Sequence, residues 1–259
     1  MENLIETQKN LEELFGRHEL MPTLRSEFGP LTDDPMKLDV ICQIYLHKQA
    51  DVPTMVGLFS PKWGTPQEVS SLLVECVQEN LLDFDMDIKK FIFNYDLSKD
   101  VQELLERYQF PLPMIVPPKK LTKNNGGSGY ITEKSGVVLN GSSVFNEEDL
   151  CLDHINRANS VKLSLNLDVL TSPQGKFIKP NRKPDEDWAD YCKRVKQAKK
   201  FHTISVEVME GLLVLGNEFY LTNKYDRRGR TYAVGYHVNS QGDDYRKACL
   251  ELARKEVCT

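Results

Sequence analysis

Apolar residues recur at helical spacing in the first third of the chain. Residues 1–15 and 36–47 each carry such a stripe, which predicts two amphipathic helices. The run Thr65 to Glu68 is a capping box with proline at the first helical position, so a third helix is expected to begin there. A fourth helix is expected after Ser98, a residue type that commonly caps helices.

Strict alternation of apolar and polar residues interrupts these helices. It covers residues 82–88, and a second apolar run follows at 91–95. Two such runs in close succession predict a β-hairpin. We therefore interpret residues 1–110 as a helical N-terminal domain with a β-hairpin at 82–95.

Proline and glycine dominate the next segment, residues 111–145, which we interpret as a connector. Its apolar residues Met114, Ile115 and Val116 indicate that it docks on the protein body. A long helix is then expected from Asn146, where acidic residues favour a helix N-terminus.

That helix is expected to extend to Leu170, and a second long helix is expected to begin near Pro184. Two long helices joined by a short loop predict an αα-hairpin over residues 146–215. Basic residues cluster on the second helix, and such a stripe suits binding of phosphates irrespective of sequence. A solvated helix face is the alternative interpretation. The expected phosphate contacts are Lys193, Lys196, Lys199 and Lys200.

The most distinctive run of the chain extends from Tyr225 to Tyr232. Three arginines, an aspartate and a glycine occupy five consecutive positions, with strand-like runs on both sides. This pattern predicts a tight turn that presents guanidinium groups to oxyanions, with Gly229 free to adopt a positive φ. A solvated turn whose charges serve solubility is the alternative.

The arginine-rich run and its surroundings resemble the T/DxxGR motif of the phage-type, single-subunit DNA-dependent RNA polymerases. Residues 110–118, 124–130, 153–159 and 202–207 resemble further blocks of that family in the same order. Arg227 departs from the pattern, because relatives often have an aromatic residue there. The matching positions around the motif are Asp226, Gly229, Arg230, Tyr232, Gly242, Asp244 and Lys247.

The resemblance implies an α+β, mainly helical fold with a thumb at 146–215 and the start of a polymerase palm, with antiparallel strands, at 216–259. It implies that the arginine-rich run binds the DNA template and the RNA transcript as an RNA–DNA hybrid. The implied nucleic-acid-binding residues are Asp226, Arg228, Gly229, Arg230, Tyr232 and Lys247.

The family's metal-binding aspartates lie downstream of this motif, and the remaining sequence contains no corresponding pair. The resemblance therefore implies that this chain supplies no catalytic residue and no metal ligand. The expected function is that of a non-catalytic subunit of a phage DNA-directed RNA polymerase, a nucleotidyltransferase. Mg²⁺ would be bound by a larger catalytic subunit in a heterodimer, and a single-stranded-DNA-binding protein is a further expected partner.

Composition adds weaker constraints. The net charge of -5 argues mildly against a general nucleic-acid coat. The six cysteines include no C-x-x-C pair, which predicts reduced thiols in a cytoplasmic protein, in the host cytoplasm if the chain is phage-encoded. The sequence contains no run of 18 apolar residues, so no membrane association is expected.

A winged-helix-like DNA-binding transcription regulator or adaptor is the alternative function, because helices followed by a hairpin also describe residues 36–95. The expected hairpin carries Asp83, Asp85 and Asp87 on its polar face, and negative charge there is unfavourable for phosphate binding. The charges favour a scaffold or protein-binding role for this region over base readout.

Overall fold

The computed structural model describes residues 2–15, 17–47, 49–93, 95–108, 110–124, 128–132, 136–139, 149–172 and 177–254. The chain forms two compact units. One unit is Arg17–Leu105, and the other combines Met1–Gly16 with Glu106–Thr259.

Helices and short strands make up the described part of the chain. The helices are α1 (Glu2–Phe15), α2 (Arg17–Phe28), α3 (Pro35–His47), α4 (Val52–Trp63), α5 (Pro66–Gln78), α6 (Lys99–Tyr108), α7 (Leu152–Asn159), α8 (Leu167–Leu170), α9 (Trp188–Val214) and α10 (Asp244–Ala248). The strands are β1 (Gln49–Asp51), β2 (Asp83–Asp85), β3 (Lys90–Ile92), β4 (Lys162–Leu165), β5 (Phe219–Tyr220), β6 (Asn223–Tyr225), β7 (Thr231–Ala233) and β8 (Leu250–Leu252).

The unit Arg17–Leu105 packs its helices against a three-stranded antiparallel sheet of order β1-β3-β2. The predicted hairpin is confirmed: β2 and β3 pair with Phe84 opposite Phe91. The capping box is also confirmed, because Thr65 accepts a hydrogen bond from the Glu68 amide while the Glu68 carboxylate accepts one from the Thr65 amide. The predicted α3, α5 and hairpin are therefore present in this unit, whereas α2, α4 and β1 were not predicted.

Helix α1 belongs to the other unit, whereas the predicted N-terminal domain, residues 1–110, included it. Its Gln8 side chain accepts a hydrogen bond of 2.8 Å from the Ile115 amide. The Glu12 carboxylate accepts bonds of 2.8 and 2.6 Å from the amides of Ile131 and Thr132. Both α1 side chains are buried. These polar contacts fix α1 to the connector, and the spacing of apolar residues gives no sign of them.

The connector packs against the rest of its own unit, as its apolar residues indicated. Met114 is fully buried, and Ile115, Val116 and Tyr130 are nearly so. The Met114 amide and carbonyl both bond to Tyr220, with N–O distances of 2.9 and 2.7 Å, so the connector extends the edge of β5. Residues 140–148, which include the expected helix start at Asn146, lie outside the described residues.

The predicted αα-hairpin is wrong in its first arm. In place of one helix reaching Leu170, the chain forms the short helix α7, the strand β4 and the single turn α8. Strand β4 pairs antiparallel with both β5 and β8 in a sheet of order β5-β4-β8. Those two partners lie more than 50 residues along the chain, so local periodicity did not reveal them. The second arm is the 27-residue helix α9, capped by Asp187.

The C-terminal hairpin is confirmed, with a shift in its first strand. Strands β6 and β7 pair antiparallel with Tyr225 opposite Thr231, whereas Phe219 and Tyr220 form β5 in the neighbouring sheet. Helix α10 then ends at Ala248, and β8 pairs with β4.

These elements confirm a mainly helical α+β class with small antiparallel sheets. Across the residues that the structure describes, none of the helices combines the length and apolar character needed to cross a bilayer.

Candidate nucleic-acid interface

The five residues Asp226–Arg230 form the turn between β6 and β7, and we call them the arginine turn. The Asp226 amide donates to the Arg230 carbonyl at 2.8 Å, and the Gly229 amide donates to the Asp226 carbonyl at 3.0 Å. Gly229 has φ of 80°, as expected, and this left-handed conformation closes the turn. Two backbone hydrogen bonds therefore fix the path of the chain through the arginines.

The Asp226 carboxylate organises the turn from within. One oxygen accepts hydrogen bonds of 2.9 Å from each of the amides of Arg228 and Arg230. The other accepts a 2.7 Å bond from Nε of Arg230 and lies 3.9 Å from Nε of Arg228. Desolvation raises the pKa of this carboxyl, but the hydrogen bonds from Arg230 and Arg228 outweigh it and the pKa lies below its ordinary value. Asp226 therefore stays ionised at neutral pH and orients Arg230.

The guanidinium groups of the turn face solvent. The side chains of Arg228 and Arg230 are 76% and 53% exposed, whereas that of Asp226 is only 17% exposed. The Arg230 guanidinium lies 5.6 Å from the centre of the Tyr232 ring, a cation–π contact. Its hydrogen bond to Asp226 uses Nε, so the terminal nitrogens are free to bind an oxyanion in fixed geometry.

Contacts on both sides hold the β6–β7 hairpin in place. The Tyr225 hydroxyl donates to the Cys151 carbonyl at 2.8 Å, and His154 Nε2 lies 3.2 Å from Thr231 Oγ1, so the start of α7 braces one side. On the other side, Nε2 of the Gln241 side chain donates to the Thr231 carbonyl at 2.9 Å. The arginine turn therefore projects from a supported hairpin.

Lys247, a predicted phosphate contact, lies on α10. Its ammonium is 2.8 Å from the Asp244 carboxylate, and its side chain is 48% exposed. The neighbouring Arg246 bonds to Asp243 at 3.0 Å and to the Tyr236 carbonyl at 2.8 Å, and its guanidinium lies 4.5 Å from the centre of the Phe201 ring. Arg246 is thus a structural cation that fixes α10 against α9, while Lys247 remains at the surface.

The four predicted lysines of α9 are exposed, and we call them the lysine face: Lys193, Lys196, Lys199 and Lys200. Lys200 forms an ion pair with Glu106. The other three have no ion pair with any side chain in the described ranges. Lysines 193, 196 and 200 share one side of the helix, because they are spaced at three and four residues.

The segment after β7 rests on α9 directly after the lysine face. The ring centres of Tyr236 and Phe201 are 4.8 Å apart, and His237 Nδ1 lies 3.1 Å from the Ser205 hydroxyl. His237 Nε2 lies 3.1 Å from the Glu106 carbonyl, which can only accept, so Nε2 carries a proton. Burial lowers the pKa of His237. These contacts join the hairpin segment and the lysine-bearing helix within one unit.

The predicted residues thus fall into two groups. Asp226, Arg228, Gly229, Arg230 and Tyr232 lie together at the tip and base of one hairpin, and the lysine face lies on α9 with Lys247 on α10. Sequence patterns did not single out His154, Gln241 or Arg246, because their roles depend on contacts with residues outside their own local motifs. In the described part of the chain, His, Cys, Asp and Glu side chains form no group of three that could hold a metal ion.

Comparison of the chain with models of known protein families gave no match, and a search of curated proteins also gave none. The interpretation of these residues therefore depends on their geometry and on the motif resemblance.

Proposed function

We propose that this chain is a non-catalytic subunit of a phage-type DNA-directed RNA polymerase. In this proposal it binds the template and the RNA–DNA hybrid, and a larger subunit supplies the Mg²⁺-binding aspartates. The observation that supports the proposal most strongly is the arginine turn, where Asp226 fixes Arg230 while the terminal nitrogens of Arg230 stay exposed. A turn that served solubility alone would need no such internal order.

Each group has a distinct role in the proposal. Arg228 and Arg230 bind backbone phosphates of the hybrid next to the active centre, and Tyr232 lies beside the hybrid. The lysine face and Lys247 attract phosphates irrespective of base sequence. These groups position the template and the 3′ end of the transcript, and positioning alone can lower a reaction barrier by several kcal/mol, up to about 10 kcal/mol.

The chemistry of nucleotide addition belongs to the partner in this proposal. Two-metal phosphoryl transfer needs carboxylates that converge on both ions. The motif resemblance places these carboxylates in the larger subunit. The proposed complex is therefore a heterodimer in which one chain holds nucleic acid and the other holds Mg²⁺.

Reconstitution tests this assignment. The chain should co-purify in a one-to-one complex with a polypeptide that carries the missing aspartates, and the complex should synthesise RNA on a template. The chain alone should synthesise none. Template-directed synthesis by the isolated chain would refute the proposal, and so would a complex whose activity is the same without this chain.

The second candidate function is a winged-helix-like DNA-binding regulator, and it is suggested by the order of elements in the unit Arg17–Leu105. From α3 to β3 the order is helix, strand, two helices and a hairpin, with β3 in the middle of the sheet. This order is similar to that of winged-helix domains, in which α5 would be the recognition helix. However, α5 contains no basic residue and carries Glu68 and Glu75, with Glu79 as its C-cap. Since acidic groups repel phosphate, we propose that this unit binds protein rather than DNA.

Duplex DNA binding distinguishes the two roles of this unit. Lys89 and Lys90 are the cations at the turn of the β2–β3 hairpin. In a DNA-binding winged helix, replacing both with glutamine would weaken binding of duplex DNA. We expect the doubly substituted chain to bind duplex DNA as the unaltered chain does, and a clear loss would favour the regulator.

A further inference from the structure

An open cavity of about 660 Å³ lies beside α7, apart from the arginine turn and the lysine face. Helix α7 lines one side with residues at positions i, i+3, i+4 and i+7, which form a single face of a helix. The opposite wall is the connector, and Tyr220 of β5 contributes an aromatic side chain. On this side the lining residues with that spacing are Asp153, Asn156 and Arg157 of α7 and its C-cap Ser160, and Asn159 of α7 also lines the cavity.

Hydrogen bonds hold the two walls together. The Asn156 side chain accepts from the Leu121 amide at 2.8 Å and donates to the Leu121 carbonyl at 2.9 Å, so it pairs with the connector as a strand would. The Lys119 amide donates to the Gly129 carbonyl at 2.7 Å, and the Lys119 ammonium donates to the Ile131 carbonyl at 2.8 Å. The cavity is therefore preformed, which lowers the entropic cost of binding a ligand.

Two cations of the cavity are available to a ligand. Arg157 and Lys120 both line it and are exposed, and neither has a side-chain partner among the described residues. Asp153 lines the same cavity and likewise has no such partner. Two cations and one carboxylate suit a ligand that has both a phosphate and hydrogen-bond donors such as hydroxyl or amino groups.

A buried amide adds a further binding group. Asn159 is only 3% exposed and lines the cavity. Its Oδ1 accepts from the amide and the side chain of Asn223 at 2.8 and 3.0 Å, but its Nδ2 has no partner within the described ranges. An unpaired buried donor is unfavourable, so a ligand that reached Nδ2 and accepted from it would offset this cost. Of the residues lining the cavity, Pro117, Pro118 and Tyr220 offer apolar surface to a flat ring.

We propose that this cavity binds a nucleoside phosphate, either free or as the 5′-terminal nucleotide of a strand. Arg157 and Lys120 bind the phosphate, Asp153 accepts from a sugar hydroxyl or a base amino group, and Asn159 donates to the base or the sugar. The volume is within the range of about 300–1,000 Å³ that small-molecule sites occupy. This site is independent of the proposed role in transcription, because it uses none of the residues assigned to the hybrid.

Calorimetric titration of the full chain tests the site. The probes are adenosine 5′-monophosphate, adenosine, inorganic phosphate, and a short oligodeoxynucleotide with either a 5′-phosphate or a 5′-hydroxyl. The test variant is Arg157→Gln, and the matched control is Lys123→Gln, an exposed lysine of the connector that does not line the cavity. A second variant, Asp153→Asn, tests recognition beyond the phosphate. Thermal unfolding of each variant checks that the fold is retained.

We expect the nucleotide to bind more tightly than adenosine or phosphate alone. Arg157→Gln should weaken nucleotide binding at least about tenfold, in line with loss of a charged hydrogen bond, while Lys123→Gln leaves it unchanged. Asp153→Asn should weaken nucleotide binding and spare phosphate binding. Tighter, Arg157-dependent binding of the 5′-phosphorylated oligonucleotide would assign the site to a strand end. The proposal is overturned if no nucleotide binds at millimolar concentration, if phosphate alone binds equally tightly, or if Arg157→Gln has no effect.

Discussion

The arginine turn and the lysine face of α9 are both basic, but they are built differently. In the arginine turn, Asp226 accepts hydrogen bonds from the backbone amides of Arg228 and Arg230 and from Nε of Arg230, so the turn and the Arg230 guanidinium have defined positions. On the lysine face, Lys193, Lys196 and Lys199 extend into solvent without a partner in the described residues. One region is ordered by its own carboxylate, and the other is a set of separate point charges.

This difference indicates that the two regions would bind phosphate in different ways. A planar guanidinium held in place can bind a phosphate in one geometry, whereas a flexible ammonium attracts phosphates without fixing them. In the proposed function the arginine turn sets the register of the hybrid, and the lysine face adds affinity that depends on salt. Changes in the turn should therefore have larger effects than equal changes of charge on α9.

Replacing Arg230 with alanine should produce the largest effect of a single substitution. We expect hybrid binding and elongation by the reconstituted complex to fall about ten- to a hundredfold, because a charged, oriented hydrogen bond is lost. Arg227→Ala is the matched control, since Arg227 is exposed on the same turn and Asp226 does not hold it. Fluorescence anisotropy with a labelled hybrid measures both variants. Equal losses of hybrid binding would show that the position of an arginine within the turn does not matter for binding.

Replacing Asp226 with asparagine separates geometry from charge. The change makes the turn more positive, so simple attraction would strengthen hybrid binding. We expect binding to weaken about fivefold instead, because the ion pair that orients Arg230 is lost. Stronger binding of the hybrid by Asp226→Asn would contradict the role assigned to this carboxylate.

Single substitutions on the lysine face should have small and uniform effects. We expect Lys196→Gln to weaken hybrid binding about twofold near physiological salt and to reduce the slope of log K against log salt by about one. Lys9→Gln, on α1 and paired with Glu6, is the control for a general change of net charge. A loss for Lys196→Gln as large as that for Arg230→Ala would remove the distinction between the two regions.

The pH dependence of stability should be the smallest effect, and it concerns His237, where the segment after β7 meets α9. Burial lowers the pKa of His237 in the folded chain, so the unfolded chain binds the proton more readily as pH falls below about 6.5. The stabilisation is therefore complete above that pH and is lost as pH falls toward the folded-state pKa.

We expect the unfolding temperature to fall by a few degrees as the pH is lowered through this range, with a smaller fall in His237→Gln. Thermal unfolding followed by circular dichroism measures both curves. Identical pH profiles for the two proteins would show that His237 does not titrate in this way.

Local patterns predicted the elements that local interactions stabilise. The capping box at Thr65, the hairpin of β2 and β3, the turn at Gly229 and the carboxylate of Asp226 all act within a few residues of themselves. The arginine turn could therefore be described from sequence in some detail.

Distant contacts account for what the sequence did not reveal. Strands β4, β5 and β8 have two to four residues each and exist because they pair with one another, so β4 was mistaken for helix. Buried polar side chains such as Glu12 and Asn159 depend on partners elsewhere in the chain. The cavity beside α7 was missed for the same reason.

Binding of an RNA–DNA hybrid to the full chain at a series of salt concentrations is the most direct test of the central claim. The proposal predicts affinity that falls steeply and linearly on logarithmic axes, and it predicts that Arg228→Ala combined with Arg230→Ala removes most of the affinity at every salt concentration. Binding that is independent of salt, or equal in the unaltered and doubly substituted chains, would contradict it.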